Sequence, residues 1–404
     1  MSQPLLTPTA LRRASLDAVL AFAWDAEAFT ASDVIEEVGL TRSTTIDVVD
    51  ELVGRGLLAE LPNARAAGDY RKGRPARRFA FRPESAYVVG VDAGRAHLTA
   101  TVADLRGDAR AVRHLDVDPE QDSPGARRRD AGRVVDDALA AAGVDRSSVA
   151  ALCIGVPAPV DGDGLSPSHR DDFWRRMNPG FAELFSQWAP IVRIENDASL
   201  AAVAERSVGA AVGYDDFVAL LAGERLGAGV WVDGRLLRGA HGGAAEMVAF
   251  DHVSGVRGAW GLGYRAGDLA RKALEEESLP SSSALRELGA AEIDGRTVLT
   301  LASQGDVGAL AIAQQVGETL AVVAGVLGSL FDSRRIIVSG AVAEGAGPVI
   351  DAAVAALPRE LDLPAPDIVA STLGGDIVSI GAVCAAVGAA REGVLDLPAF
   401  ATSA

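Results

Sequence analysis

The chain is poor in several things at once. It has only two cysteines, Cys153 and Cys384, each set in an apolar run, ALCIGV and GAVCAAVGAA. Two isolated thiols build neither a disulfide framework nor a cysteine-rich zinc site, and both are expected to be buried and free. Lysine is nearly absent: apart from Lys72 and Lys272, every basic residue is arginine. With the abundance of Ala, Gly, Val and Asp, this reads as the codon bias of a GC-rich genome. No run of about 18 uncharged apolar residues is present, so no membrane span is expected. The opening MSQPLLTPTALRRAS lacks a basic segment followed by an apolar core and a small-residue cleavage site, so no secretory signal is expected. These absences together point to a cytoplasmic protein.

At 404 residues the chain exceeds one ordinary core, so two or three domains are expected. The net charge of −17 argues against general affinity for nucleic acid. Its distribution argues otherwise at one place. Between Asn63 and Arg82 stand seven basic residues (Arg65, Arg71, Lys72, Arg74, Arg77, Arg78, Arg82) against the single acid Asp69. An acidic body with one basic spike suits a protein that touches DNA locally.

Residues 11–58 read as helices. In LRRASLDAVLAFAW the residues Leu16, Val19, Leu20 and Phe22 are expected on one buried face. Thr30 and Ser32 are candidate caps for a short helix, ASDVIEEV. Gly39 supplies a turn, and Thr41 or Ser43 caps a second helix through STTIDVVDELVGRG. Helix, short glycine turn and helix form the helix-turn-helix pattern, whose second helix lies in the major groove of DNA. Here the N-terminal side chains of that helix are Arg42, Ser43, Thr44 and Thr45. Arginine can bridge guanine, and Ser or Thr can reach base edges or phosphates. Asp47, Asp50 and Glu51 should face away from DNA or pair with arginines. A strand from Leu57, the basic segment and the strand RRFAFRP complete a basic hairpin. Its Arg71, Lys72, Gly73 and Arg74 suit a wing, the alternative being a solvated basic loop.

From Tyr87 the period changes. YVVGVDAG, HLTATVADLRG and AVRHLDVD alternate as strands, ALCIGV and IVRIEND are short buried strands, and helices intervene. FVALLAG and GVWVDGRLL open a second half in the same way, followed by a long helix, RIIVSG, DIVAST and a closing helix. This predicts α/β architecture with two similar lobes. We divide the chain into a winged helix-turn-helix over 1–84 and a two-lobed body over 85–398, with a hinge near 62–76 and a disordered tail after Pro398.

AYVVGVDAGRAH, CIGVPAPVDG, IENDASLAAVAE, GERLGAGVWVDGRLLRGAHGGAAE and RIIVSGAVAEG follow one another in an order that resembles the ROK family (repressors, open reading frames and sugar kinases). The head resembles the winged helix of ROK repressors, including Gly-Arg-Pro-Ala at Gly73–Ala76. The resemblance implies an actin-like, hexokinase-like body with a cleft between lobes, where the family's kinases bind ATP and a hexose. It implies that Asp197 occupies the place of the catalytic base, Asn196 that of a sugar-binding residue, and Glu246 that of the acid in Glu-x-Gly-His. Read from the residues alone, Asp197 is equally a helix cap.

Departures from the family pattern narrow what the resemblance implies. Glu-x-Gly-His is here Glu246-Met247-Val248-Ala249, without the histidine that binds zinc and sugar. Where the family carries a cysteine-rich zinc loop, this chain reads VRGAWGLGYRAGD over 256–268, with His252 alone nearby. No bound zinc is expected. The first phosphate loop has become Asp92-Ala93-Gly94-Arg95-Ala96, and the second Gly223-Glu224-Arg225-Leu226-Gly227-Ala228-Gly229. Glu224 beside a triphosphate costs about 4 kcal/mol at ~4 Å and an effective dielectric near ~20. Arg225 either offsets that charge or pairs with Glu224 and closes the site. No cofactor is expected, ATP included, and no catalytic role for Asp197 unless the chain is a kinase.

The reading is a repressor that binds double-stranded operator DNA as a homodimer or homotetramer, without membrane contact. Its degenerate kinase body senses a small molecule such as a sugar or sugar derivative. Two alternatives stay open: an active sugar kinase with an added head, and a repressor whose body only oligomerises or docks a protein.

Overall fold

The computed structural model describes residues 7–62, 76–120, 123–168, 172–357 and 364–400. The first helix, α1 (Pro8–Asp25), begins on Thr7, whose hydroxyl accepts from Ala10 N–H at 3.2 Å, with proline at the first helical position. Strand β1 (Phe29–Thr30) leads into α2 (Ala31–Val38). Thr30 and Asp33 form a reciprocal capping box there, so Thr30 rather than Ser32 is the cap. Gly39 ends α2 at φ +76°, a conformation glycine adopts without strain. Thr41 then caps α3 (Arg42–Gly54).

Strands β2 (Leu58–Leu61) and β3 (Arg78–Phe81) pair antiparallel, and β3 also pairs with β1, giving the sheet order β1-β3-β2. Three helices against a small hairpin sheet make a winged helix-turn-helix. Leu16, Val19 and Leu20 are buried as expected, joined by Ala23 and Trp24. Phe22 departs from that face: it is only partly buried and packs edge-on against Phe29, centroids 5.5 Å apart. Trp24 stacks on Phe81 at 4.4 Å and fastens α1 to the sheet.

The first lobe is a five-stranded sheet of β4 (Tyr87–Asp92), β5 (His97–Asp104), β6 (Ala109–Asp116), β7 (Val149–Val156) and β8 (Ile191–Asn196), in the order β6-β5-β4-β7-β8. The first three strands form an antiparallel meander; β7 and β8 add parallel. The crossover to β7 runs through α4 (Pro124–Ala142). Before β8 come two short helices, α5 (Phe173–Met177) and α6 (Phe181–Phe185).

After β8, α7 (Asp197–Val208) leads to the second lobe. That lobe repeats the plan with β9 (Phe217–Leu221), β10 (Gly227–Val232) and β11 (Arg235–Leu236) antiparallel. Then come α8 (Leu262–Glu275), α9 (Gly295–Ser303), α10 (Val307–Phe331), the parallel strand β12 (Arg335–Ser339), α11 (Gly347–Ala356) and β13 (Asp367–Ala370). The sheet order β11-β10-β9-β12-β13 matches that of the first lobe.

The lobes exchange helices. Helix α7 leaves the first lobe and packs on β9 and β10 of the second, whereas α12 (Ile377–Gly393) leaves the second and packs on β4 and β7 of the first. The two helices cross where Gly381 faces Leu200.

Helix α10 and the stretch Gly374–Asp396 are each long and apolar enough to span a bilayer, although Glu318 interrupts the first and Asp376, Arg391 and Glu392 the second. About half of each is buried inside the fold; Val316, Leu320 and Val323 lie in the second-lobe core, so these are core helices. The segment after Pro398 is not loose up to Phe400. Residues Pro398–Phe400 form a helical turn, and Phe400 is buried. The expected hinge at 62–76 lies almost wholly outside the described residues.

That C-terminal turn docks the head. Leu395, Leu397 and Phe400 share one apolar cluster with Leu16, Trp24 and Phe79. Polar ties surround it. Arg13 pairs with Asp396, Arg55 donates to the carbonyls of Leu395 (3.3 Å) and Phe400 (3.2 Å), and Arg391 pairs with Asp25 at 2.6 Å. From the first lobe, Arg106 reaches the Trp24 and Ala26 carbonyls.

Candidate functional site

Two sites emerge: the cleft between the lobes and the outer face of the head. The cleft floor is the β8–α7 junction. Asn196 caps α7, its Oδ1 accepting from Ser199 N–H at 3.0 Å, while its Nδ2 donates to the Ala158 carbonyl at 3.2 Å. Asn196 is thus the structural cap, and the neighbouring Asp197 is the first helical residue. Asp197 Oδ1 accepts from Ala198 N–H at 2.7 Å. Burial pushes its carboxyl up to about 7; the Ala198 bond works against this, and the nearby carboxylates of Asp92 and Glu246 add to it. Asp92 and Glu246 thus lie within electrostatic reach of Asp197. Glu246 is carried on a loop pressed against the other lobe: a Cβ on Gly242 would fall 1.8 Å from the Val160 carbonyl oxygen.

At the mouth, one turn from each lobe faces the cleft. The first joins β4 to β5. His97 Nε2 lies 3.0 Å from Asp92 Oδ2, and the ring covers Gly94 so closely that a Cβ there would stand 2.3 Å from it. The Asp92 bond holds the His97 imidazole above its ordinary value, with burial opposing. Beneath the turn lies Arg127, fully buried, donating to the carbonyls of Ala93 and Gly94 (2.7 Å to the latter) and of Met177. Carbonyl groups compensate the burial of this charge.

The second turn joins β9 to β10. Its carbonyls accept from the segment before and at the start of α8: Gly263 N–H on Ala222, Tyr264 N–H on Gly223 and Gly261 N–H on Glu224. Arg225 does not pair with Glu224. It lies over the Trp260 ring at 4.9 Å, and Trp260 stacks on Tyr264 at 4.2 Å. Glu224 instead meets Arg95 of the first lobe, at 3.1 Å. Behind the second turn is a cavity of about 280 Å³, lined by Gly223, Glu224, Tyr264, Arg271, Asp294 and Val342 among others.

Where the family's zinc loop would lie, the stack of Trp260 on Tyr264 and Arg265, which donates to the carbonyls of Trp260 (2.9 Å) and Gly258 (2.7 Å), hold the chain. Among the described residues no three His, Cys, Asp or Glu side chains are gathered as a metal set.

On the head, Arg42 and Ser43 stand exposed at the start of α3, and Thr44 is half-buried. Thr45 does not face outward, contrary to expectation: it is fully buried and its hydroxyl donates to the Thr41 carbonyl at 3.0 Å. One residue, about 100° of rotation about the helix axis, separates it from Ile46, which with Asp47 lies on the exposed stripe instead. Ile46 was missed by sequence reasoning, which sought charge and hydroxyls; an exposed apolar side chain on such a helix suits a thymine methyl. Asp50 pairs with Arg77 at 2.8 Å, and Glu51 with Arg12 and Arg55, as expected, whereas Asp47 shares the exposed stripe with Arg42 and Ser43 instead of facing away from it. Arg71, Lys72, Gly73 and Arg74 lie outside the described residues.

The architecture defines a class: a two-lobed α/β body with exchanged helices, carrying an N-terminal winged helix. The ROK family model matches residues 88–387, and the chain belongs to the ROK family. It is 24% identical to the xylose repressor of Bacillus subtilis, over 76% of this chain and 77% of that one. The crystal structure of a ROK family transcriptional regulator, a homolog of the E. coli MLC protein, superposes with a TM-score of 0.76 at 19% identity, covering 96% of this chain and 99% of that one. A ROK family glucokinase from Streptomyces griseus, solved with glucose and AMPPNP, gives a TM-score of 0.62 at 25% identity, covering 74% of this chain and 99% of that one. The likeness to the regulator takes in the head as well as the body; the likeness to the kinase covers a smaller share of this chain.

Proposed function

We propose that this protein is a DNA-binding transcriptional repressor whose cleft senses a small polyhydroxylated molecule and does not phosphorylate it. The observation that carries this is the head: a winged helix-turn-helix with Arg42, Ser43 and Ile46 on an open stripe of α3, fixed to the lobe that forms one wall of the cleft. Arg42 and Ser43 at a helix N-terminus suit a guanine edge and a phosphate. Arg71, Lys72 and Arg74 would add wing contacts to the backbone or minor groove. Two heads on a dimer or tetramer would meet half-sites about one helical turn apart, ~34–36 Å, or a multiple of that. Such a protein works in the cytoplasm and needs neither zinc nor ATP.

In the cleft, Asp197 and Glu246 would hold hydroxyl groups, and the raised pKa of Asp197 lets it donate as well as accept. Both side-chain ends of Asn196 are engaged with the backbone, so its part is to orient the junction. The similarity to a xylose repressor makes xylose the first compound to try.

The test is recovery of DNA cross-linked to the protein in cells, followed by gel shift of the recovered sequence with and without a sugar panel. A recurrent pseudo-palindrome, released by one sugar, supports the proposal. No enriched sequence removes the DNA reading; an enriched sequence insensitive to the panel removes the sensing reading.

A kinase reading draws on Asp197, a carboxylate with the position and raised pKa of a base. ATP consumption with hexoses and pentoses, abolished in Asp197→Ala, would establish it over the one preferred here.

A further inference from the structure

We propose that Arg95 and Glu224 form an interlobe latch that holds the two turns of the cleft mouth together and refuses polyanions. The pair joins residues distant in sequence, one on each lobe, at 3.1 Å. Both side chains stand on anchored backbone. Arg127 grips the carbonyls beneath the Arg95 turn, and the ring of His97 fills the space above Gly94. The Glu224 turn is tied through three consecutive carbonyls to residues 261–264. A change in the distance between these turns therefore requires the lobes themselves to move.

Charge accounts for the refusal. The triphosphate that the family's kinases hold between two such turns does not fit here. The first turn offers an imidazole already bonded to Asp92 instead of open glycine backbone, and the second offers a carboxylate. The cation adjacent to Glu224 in the chain, Arg225, is drawn away onto Trp260. Arg95 is left as the partner of Glu224, and an incoming polyanion must break that pair and then face the freed carboxylate. Both side chains are half-exposed, 51% and 62%, so water and salt weaken the bond. Other contacts among the described residues also span the lobes, Arg238 to Glu195 and Gly242 against Val160 among them. They leave the β4–β5 and β9–β10 turns bridged by the Arg95–Glu224 pair.

Lobe movement and anion access are both read in the purified protein without DNA. The experiment places spin labels at Val112 and Val354, exposed positions on the two lobes, in a Cys384→Ala background. It compares the parent chain with Arg95→Glu, Glu224→Arg, the double reversal and Glu224→Gln. The parent should give one narrow interlobe distance. Each single reversal should broaden or lengthen it, and the double reversal should restore it. Titration calorimetry with tripolyphosphate should show binding to Glu224→Gln about tenfold tighter than to the parent, because Arg95 is then free. Distances unchanged in both single reversals, or broadened in them and not restored in the double, overturn the latch. Equal tripolyphosphate binding by parent and Glu224→Gln overturns the refusal of anions.

Discussion

Gly381 and Leu200 mark the point where the exchanged helices cross: a Cβ on Gly381 would lie 2.0 Å from the Leu200 carbonyl oxygen. No side chain fits there unless α7 and α12 separate. Because α7 rests on the second lobe and α12 on the first, this crossing is the natural pivot between them. Gly381→Ala should destabilise the protein by about 1–3 kcal/mol through overpacking. An unchanged urea midpoint with an unchanged slope would show that the crossing is looser than the geometry implies.

Asp197 gives a pH signature. Its folded-state pKa, about 7, is raised above the ordinary value of 3.8, mainly by burial. Between those values the folded state holds the proton more tightly than the unfolded chain, so this group's contribution to stability declines as pH rises through the window. Asp197→Asn removes that penalty. The variant should exceed the parent in stability by about 1–3 kcal/mol near pH ~8, with the gap shrinking as pH falls toward ~4. Thermal melts across pH settle it; a variant less stable at the alkaline end contradicts the environment inferred for Asp197.

Arg55 is the joint between α3 and the C-terminal turn. It binds Glu51 on α3 and the carbonyls of Leu395 and Phe400. Arg55→Ala leaves the partly buried Glu51 carboxylate with Arg12 as its remaining arginine partner and strands two carbonyl acceptors, and should cost about 1–3 kcal/mol. Hydrogen exchange at residues 394–400 and along α1 should quicken more than in the second lobe. Uniform quickening would mean that the head and the turn are not specially coupled.

For DNA binding, Arg42→Ala should weaken the recovered operator by about 1–3 kcal/mol and relax preference at one base pair. Arg74→Ala should weaken all sequences alike and lower the salt slope by roughly one unit. Thr45→Val serves as a contrast: it disturbs the helix interior without touching the exposed stripe. A gel shift in which Thr45→Val loses sequence preference and Arg42→Ala keeps it would reverse the assignment of the outer face.

The lobes were readable because strand alternation and glycine turns recur in both halves, and the order of IENDA, the glycine loops and RIIVSG fixed their arrangement. The convergence of Asp197 and Glu246 came from resemblance; nothing in their spacing announces it. What escaped depended on contacts between distant residues. Arg127 sits in a run of three arginines, and no local signal marks it as the buried one. Glu224 had an arginine at its side, yet finds its partner at position 95, because Trp260 competes for Arg225. Thr45 differs from Ser43 only by helical phase, a matter of degrees that the sequence leaves open within one turn.

The docking of Phe400 against the head ties together stretches that lie far apart along the chain. The cluster that buries Leu16 and Trp24 also contains Leu395, Leu397 and Phe400. The head's apolar face is therefore sheathed only when the body has folded far enough to present residues 395–400. A chain stripped of those residues would leave Trp24 and its neighbours under-covered, a form that chaperones and proteases recognise. Folding of the body and maturation of the head thus become one event.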